Sequence, residues 1–190
     1  MESELAYGDG DLVLAASGED EDDALAIRSR SDTRSFELLY HRHRDRIYRY
    51  ALTRVGTQED ALDLTQQTFI KALERINTFR PRRGQFSTWL FAIARNTVID
   101  FRRRQRSPES WVCLERTAQD NTEAEVLTSL DIEALRTAVA GLTDTKRDLL
   151  SLRFAVGLTI PEIAAVVGMK TDATYKQISG LRRITWTIDG

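Results

Sequence analysis

From Ser35 onward, apolar and aromatic side chains recur at three- and four-residue steps: Phe36, Leu39, Tyr40, His43, Ile47, Tyr50 and the Arg54–Val55 pair. That spacing lines one face of an α-helix and predicts about five helical turns. Gly56 ends the pattern and Thr57 is placed to cap the next helix. The second helix is predicted over 58–77, with Ala61, Leu64, Thr68, Phe69, Ala72 and Ile76 facing inward. Glu59, Asp63, Gln66, Gln67 and Glu74 form its polar face. Residues 79–85 carry Pro81 and Gly84 and read as a loop. A third helix, capped by Ser87 or Thr88, follows to about Arg104.

Beyond Ser107 the periodicity fades. Ser107-Pro108, scattered acids and the 119–122 polar cluster mark a linker to about Thr128. Helical patterns return over 129–140, 144–155, 160–167 and 172–184, and no segment alternates as a strand would. The expected fold is therefore all-α: two small helical modules, 35–106 and 129–190, joined by a flexible linker over 107–128. Residues 1–34 are polar and acidic, with short apolar islands at 12–14 and 25–27. They are expected to be a flexible segment holding one short helix at most.

Charge changes this picture more than composition does. The net charge is only −2, but residues 1–34 hold ten acids against three arginines. Residues 80–106 hold eight arginines against Asp100 alone, and 109–133 hold seven acids against Arg116. A basic patch between acidic segments points to a polyanion partner, with acids able to screen the patch in its absence. The single cysteine, Cys113, excludes an intrachain disulfide and suits a reducing cytoplasm. The apolar runs are too short for a membrane span, and an acidic N-terminus argues against a secretory or transit signal.

Within the basic patch, Phe86, Trp89 and Phe91 precede Arg95, Arg102, Arg103, Arg104 and Arg106. Aromatic faces stack on unpaired bases, and arginines neutralise phosphates and release counterions. Trp89 and Phe91 are expected to hold the core. Further along, Thr159 and Glu162 form a T-x-x-E capping box with Pro161 in the first turn. Gly168 supplies a tight turn four residues after Ala164, and Thr171 caps a new helix. This is helix-turn-helix patterning. Ile163, Val167, Met169, Tyr175 and Ile178 are its expected shared core, and Lys170, Thr171, Asp172, Thr174, Lys176, Gln177, Arg182 and Arg183 its exposed candidates.

The same residues admit two other readings. An enzyme is disfavoured, because His41 and His43 diverge on a helix and make no metal pair, and no phosphate loop or Ser/His/Asp grouping is present. Neither a metal nor a cofactor is expected. A dimeric helix-turn-helix regulator would bind operators by itself, whereas a polymerase-dependent factor would bind promoter DNA only weakly alone.

The stretches FELLYHRHRDRIYRYALTRVG (36–56), EDALDLTQQTFIKALERI (59–76), FSTWLFAIARNTVIDFRRR (86–104) and LRFAVGLTIPEIAAVVGM (152–169) resemble the bacterial sigma-70 superfamily, specifically its extracytoplasmic-function (ECF) group. The resemblance spans about 36–184. It implies that the first module is sigma domain 2 and the second sigma domain 4. Asp63, Leu64, Gln66, Gln67 and Phe69 then match positions that bind the clamp helices of core RNA polymerase. Arg80, Arg82, Arg83, Phe86, Ser87, Arg95, Asn96, Asp100, Arg102 and Arg103 match the region that recognises and opens the −10 promoter element. Lys170, Thr171, Thr174, Lys176, Gln177, Arg182 and Arg183 would read the −35 element, with the polymerase flap touching the same module. Core polymerase, promoter DNA and an anti-sigma factor are the implied partners, with neither membrane insertion nor an obligate homo-oligomer. The acids of 1–34 are a candidate electrostatic shield for the arginines of 80–106.

Overall fold

The helical periodicity is realised throughout the computed structural model, which describes residues 12–81, 84–105 and 141–186. Helices span Leu12–Arg28 (α1), Thr33–Val55 (α2), Gln58–Arg75 (α3), Phe86–Gln105 (α4), Asp144–Leu150 (α5), Ile160–Val167 (α6) and Thr171–Trp186 (α7). A short 3-10 turn extends α3 over Ile76–Thr78, and a π-helical turn extends α5 over Ser151–Ala155. Among the described residues there is no strand. The expected helices at 129–140 and the 107–128 linker lie outside the described residues.

Local chemistry sets the helix ends. Asp32 caps α2 by accepting from the Arg34 and Ser35 amides. Gly56 closes α2 with φ 83°, a left-handed conformation that a β-carbon would strain. Thr57 caps α3 through the Asp60 amide. Thr159 and Glu162 cap α6 reciprocally, as their spacing predicts, and Gly168 ends it at φ 71°.

The N-terminal segment departs from expectation. Instead of remaining flexible up to residue 34, the chain is helical over Leu12–Arg28, and Leu25 and Ala26 are fully buried in the core. The apolar island at 25–27 is a docking edge rather than an isolated patch. Its acids also find specific partners. Asp22 accepts from His43 Nε2 at 2.7 Å and from Arg42 at 2.9 Å, and Asp23 accepts the Phe86 amide at 2.7 Å. That last bond caps α4 from a distant helix. The cap expected from Ser87 or Thr88 is therefore supplied by α1, and α4 starts earlier, at Phe86.

Burial tends to raise the Asp22 carboxyl, but the hydrogen bonds and charges of His43 and Arg42 outweigh it and hold the group below its ordinary 3.8. A carboxyl lowered on folding stabilises the protein above its unfolded pKa. That stability is lost as pH falls below about 4, through the folded value. Asp22→Ala is expected to cost about 1.5–3 kcal/mol at neutral pH, the usual range for a hydrogen bond to a charged group. Urea unfolding of the variant should also lose less stability between pH 7 and pH 3 than the parent does. An equal loss in both would remove Asp22 from this role.

One contiguous core runs from α1 to α7. It joins Leu39, Ile47 and Tyr50 of α2 and Leu64 and Phe69 of α3 to Leu90, Phe91 and Ala94 of α4. Leu149, Leu152, Leu158, Ile163 and Ile178 belong to the same cluster. The helices on either side of the 106–140 segment thus pack directly on one another. Phe91 is fully buried and Trp89 half-buried, in accord with their expected core roles.

Candidate nucleic-acid interface

Helix α4 carries the basic patch, and its periodicity divides the patch between two faces. Asn96, Asp100 and Arg103 fall at four- and three-residue steps and are exposed together. Arg104 extends the cluster into the last turn, where cations complement the helix dipole. Arg95 and Arg102, seven residues apart, share a different face and meet the carboxylates of α5. Arg95 Nε donates to Asp148 Oδ2 at 2.8 Å, and Arg102 pairs with Asp144. Arg80 lies exposed in the preceding loop, its guanidinium donating to the Phe79 carbonyl at 2.8 Å. Arg82 and Arg83 lie outside the described residues.

Phe86 and Ser87 depart from the expected contact set. Phe86 is fully buried beneath Phe79, Trp89 and His43, with each ring centroid 5.6 Å away. Ser87 is buried as well. Neither side chain can reach DNA in this conformation. An aromatic at the start of a basic helix reads equally as base platform or anchor, and here it anchors the loop to the core.

Asp148 lies at the centre of the polar contacts between α4 and α5. Its carboxylate is 1% exposed. It accepts from the Tyr50 hydroxyl at 2.9 Å and from Arg95, and lies 2.8 Å from Arg54 Nε. Arg54 also reaches Asp144, 3.6 Å away. The Arg54–Asp148 contact is an ion pair rather than an aligned hydrogen bond, and Arg54 Nη1 has no partner among the described residues. Burial first, and then the Asp148 charge, push the Tyr50 phenol well above its ordinary value. The sequence offered only a weak signal for this cluster: Arg54 on a largely apolar helix face.

On α3 the expected polymerase-binding positions separate in the same way. Asp63 and Gln66 are exposed, and Gln67 donates to Asp63 at 2.6 Å. Leu64 and Phe69 are buried, and Phe69 packs edge-on against Phe36 and Tyr40. Their place on the outer face is taken by Leu62, Ile70 and Leu73, at 55%, 58% and 44% exposure. These three share one helical stripe with Gln66. The sequence signal was available: three large apolar residues sit out of phase with the inward set. A shallow groove lined by Asp63, Gln67, Phe101, Arg104 and Gln105 connects this face to the end of α4.

Helices α6 and α7 form the helix-turn-helix pair. On α7 the inward residues are Thr174, Ile178 and Leu181, a four-then-three spacing. Thr174, expected on the DNA face, is fully buried and its hydroxyl donates to the Lys170 carbonyl. Tyr175, expected in the core, is 58% exposed. The two exchange roles because a one-residue step turns a helix by about 100°. Lys170, Thr171 and Lys176 are exposed and Gln177 half-buried. The side chains of Arg182 and Arg183 lie outside the described residues. Tyr175→Ala is expected to leave the urea midpoint within error while weakening duplex binding by α7. Unchanged duplex affinity would place Tyr175 outside the interface.

An all-α fold with a long basic helix and a helix-turn-helix pair is the architecture of a class of nucleic-acid-binding proteins. Comparison with known proteins narrows that class. Residues 39–107 match the Sigma-70 region 2 family. The ECF RNA polymerase sigma factor BldN of Streptomyces coelicolor is 36% identical over 162 residues, covering 79% of this chain and 60% of BldN. The RNA polymerase sigma factor YlaC of Bacillus subtilis is 32% identical over 139 residues, covering 70% of this chain and 80% of YlaC. The ECF sigma factor SigL of Mycobacterium tuberculosis is 31% identical, with 75% of its length covered. Among solved structures, CnrH in complex with the cytosolic domain of CnrY superposes with a TM-score of 0.67 at 25% identity, covering 88% of this chain and 96% of CnrH. The sigma factor RpoE of Bartonella quintana, solved with the anti-sigma factor NepR, shares the fold with a TM-score of 0.62 at 23% identity. The chain belongs to the ECF sigma factors of the sigma-70 family. It spans 60% of the length of BldN and 57% of that of SigE from Mycolicibacterium smegmatis.

Proposed function

We propose that this chain binds core RNA polymerase and directs it to promoters by reading −10 and −35 elements and helping to open the −10 DNA. The observation that carries this reading is the division of α3 and α4 into two outward faces. One is polar and apolar, and the other is basic. On α3, Asp63, Gln66, Leu62, Ile70 and Leu73 offer a carboxylate, an amide and an apolar stripe to the polymerase clamp helices. On α4, Asn96, Asp100 and Arg103, with Arg95 and Arg102, address the −10 DNA, and Arg80, Arg82 and Arg83 hold phosphates. Lys170, Thr171, Tyr175, Lys176 and Gln177, with Arg182 and Arg183, address the −35 duplex. The chemistry of chain growth belongs to the polymerase.

The division of labour follows the two helical blocks: 35–106 for the polymerase and the −10 element, 129–190 for the −35 element and the flap, with 107–128 between them. Regulation by an anti-sigma partner belongs to the same proposal: the sigma factor RpoE of Bartonella quintana, which shares this fold, is solved with the anti-sigma factor NepR. No described helix is long and apolar enough to cross a membrane, and the proposed site of action is the cytoplasm. The direct test of the polymerase half is co-elution with purified core RNA polymerase in size-exclusion chromatography. A stable complex is expected. Separate elution at micromolar concentrations would overturn the reading.

A further inference from the structure

We propose that the N-terminal helix positions the loop before α4 for engagement of −10 DNA. Asp23 of α1 fixes the exit of that loop at the Phe86 amide, and Arg30, in the turn after α1, fixes its entry at the Phe79 carbonyl. Both are positioning residues, which act on DNA through Arg80 and the first turn of α4. This rests on the functional reading above.

The two ends of the loop are held from one element. Arg30 Nη2 donates to the Phe79 carbonyl at 2.8 Å, and the Phe86 amide donates to Asp23 Oδ1 at 2.7 Å. Asp23 and Arg30 are seven residues apart, close to two helical turns, which directs both toward one side. Beside these bonds the Phe79 and Phe86 rings meet edge-on, with centroids 5.6 Å apart. Helix α1 is itself braced. Leu25 and Ala26 are fully buried, and Asp22 is tied to His43 and Arg42 of α2. The His43 ring also packs on Phe86, so α2, α1 and the start of α4 form one closed circuit.

The chemistry of each contact suits positioning more than stability. Burial is the largest influence on the Asp23 carboxyl and raises it above its ordinary 3.8, although the Phe86 bond pulls the other way. A carboxyl raised on folding costs stability. The cost builds as pH rises from the unfolded value through the folded one, and it is fully present at neutral pH. The charge of Asp23 therefore does not hold the fold together, and its oxygen serves to fix one amide. At the entry, the Phe79 carbonyl accepts twice, from Arg30 and from the Arg80 guanidinium, each at 2.8 Å. A carbonyl oxygen has two lone pairs, so both donors are accommodated. When Arg80 turns to a phosphate, Arg30 keeps that acceptor paired, and no unsatisfied carbonyl is left behind.

The test assembles core RNA polymerase with the full chain, as parent, Asp23→Ala, Asp23→Asn or Arg30→Ala. Run-off from a library of genomic fragments gives transcript yield, and titration with core gives core affinity. Retention of labelled fragments over a salt series gives the salt slope, and urea unfolding reports folding. Asp23→Ala and Arg30→Ala are expected to bind core as the parent does. Their transcript yield should fall about tenfold, as for loss of one hydrogen bond to a charged group. Their slope of log affinity against log salt should flatten by about 0.9, the equivalent of one phosphate contact. Asp23→Asn, whose amide oxygen still accepts from Phe86, is expected to restore both yield and slope. A folded Asp23→Ala with parental yield and slope would overturn the positioning role. Core affinity lost in step with yield would also overturn it, leaving α1 a structural support alone. An Asp23→Asn as deficient as the alanine variant would do the same. Should Asp23→Ala fail to fold, Arg30→Ala decides by the same readouts. A parent that initiates on no fragment would overturn the promoter reading and the positioning role together, whereas a parent and variants that initiate equally overturn the positioning role alone.

Discussion

Phe86→Ala is expected to destabilise the protein by about 3–5 kcal/mol, the usual cost of removing a buried aromatic. Phe86 is fully buried and meets Phe79, Trp89 and His43 at the point where the 79–85 loop enters α4. The cavity would open beneath the Asp23 cap and beside the His43–Asp22 pair, so three elements lose support together. Surface contact residues away from such features change stability by no more than about 0.5 kcal/mol. Urea denaturation separates the two cases. A variant as stable as the parent but deficient in single-strand binding would show that Phe86 is a base platform after all.

The second large effect concerns the α3 stripe. Ile70→Asp is expected to cost only about 0.5 kcal/mol in stability, because the residue is exposed and the change is chiefly one of helix propensity. Affinity for core polymerase should fall by about 30-fold or more, as when a charge replaces a central apolar anchor. Asp63→Ala should act in the same direction without loosening the fold, since its described side-chain bond is to Gln67 on the same helix. Titration of labelled protein with core polymerase is the measurement. If Ile70→Asp binds as the parent does, the stripe is not the polymerase face.

Why some assignments were legible in the sequence, and others were not, follows from the length over which each pattern runs. The helices α2, α3 and α4 carry long periodic runs, and the α6 capping box with Gly168 fixes a turn by local chemistry alone. These features require no tertiary information. Single residues at the edge of a helical face do. Leu64 lies one residue from Asp63 and Phe69 three from Gln66, yet both are buried, while Leu62 and Ile70, two and one residues from them, are exposed. Thr174 and Tyr175 exchanged places for the same reason. Asp22, Asp23 and Asp148 were harder still. A carboxylate among many acids reads as solvated surface until its partners, distant in sequence, are brought beside it. The proposed shielding of the basic helix by acids has its closest counterpart in α5, where Asp144 and Asp148 meet Arg102 and Arg95. Among the acids of α1, Asp23 instead holds the start of α4, and Asp22 pairs with His43 and Arg42 of α2.

Run-off transcription tests the central claim most directly. Core RNA polymerase is incubated with a library of genomic fragments, with and without the protein. Discrete transcripts that start at defined positions, and only when the protein is present, are the expected result. Failure to initiate on any fragment would contradict the assignment of this chain as a promoter-directing sigma factor.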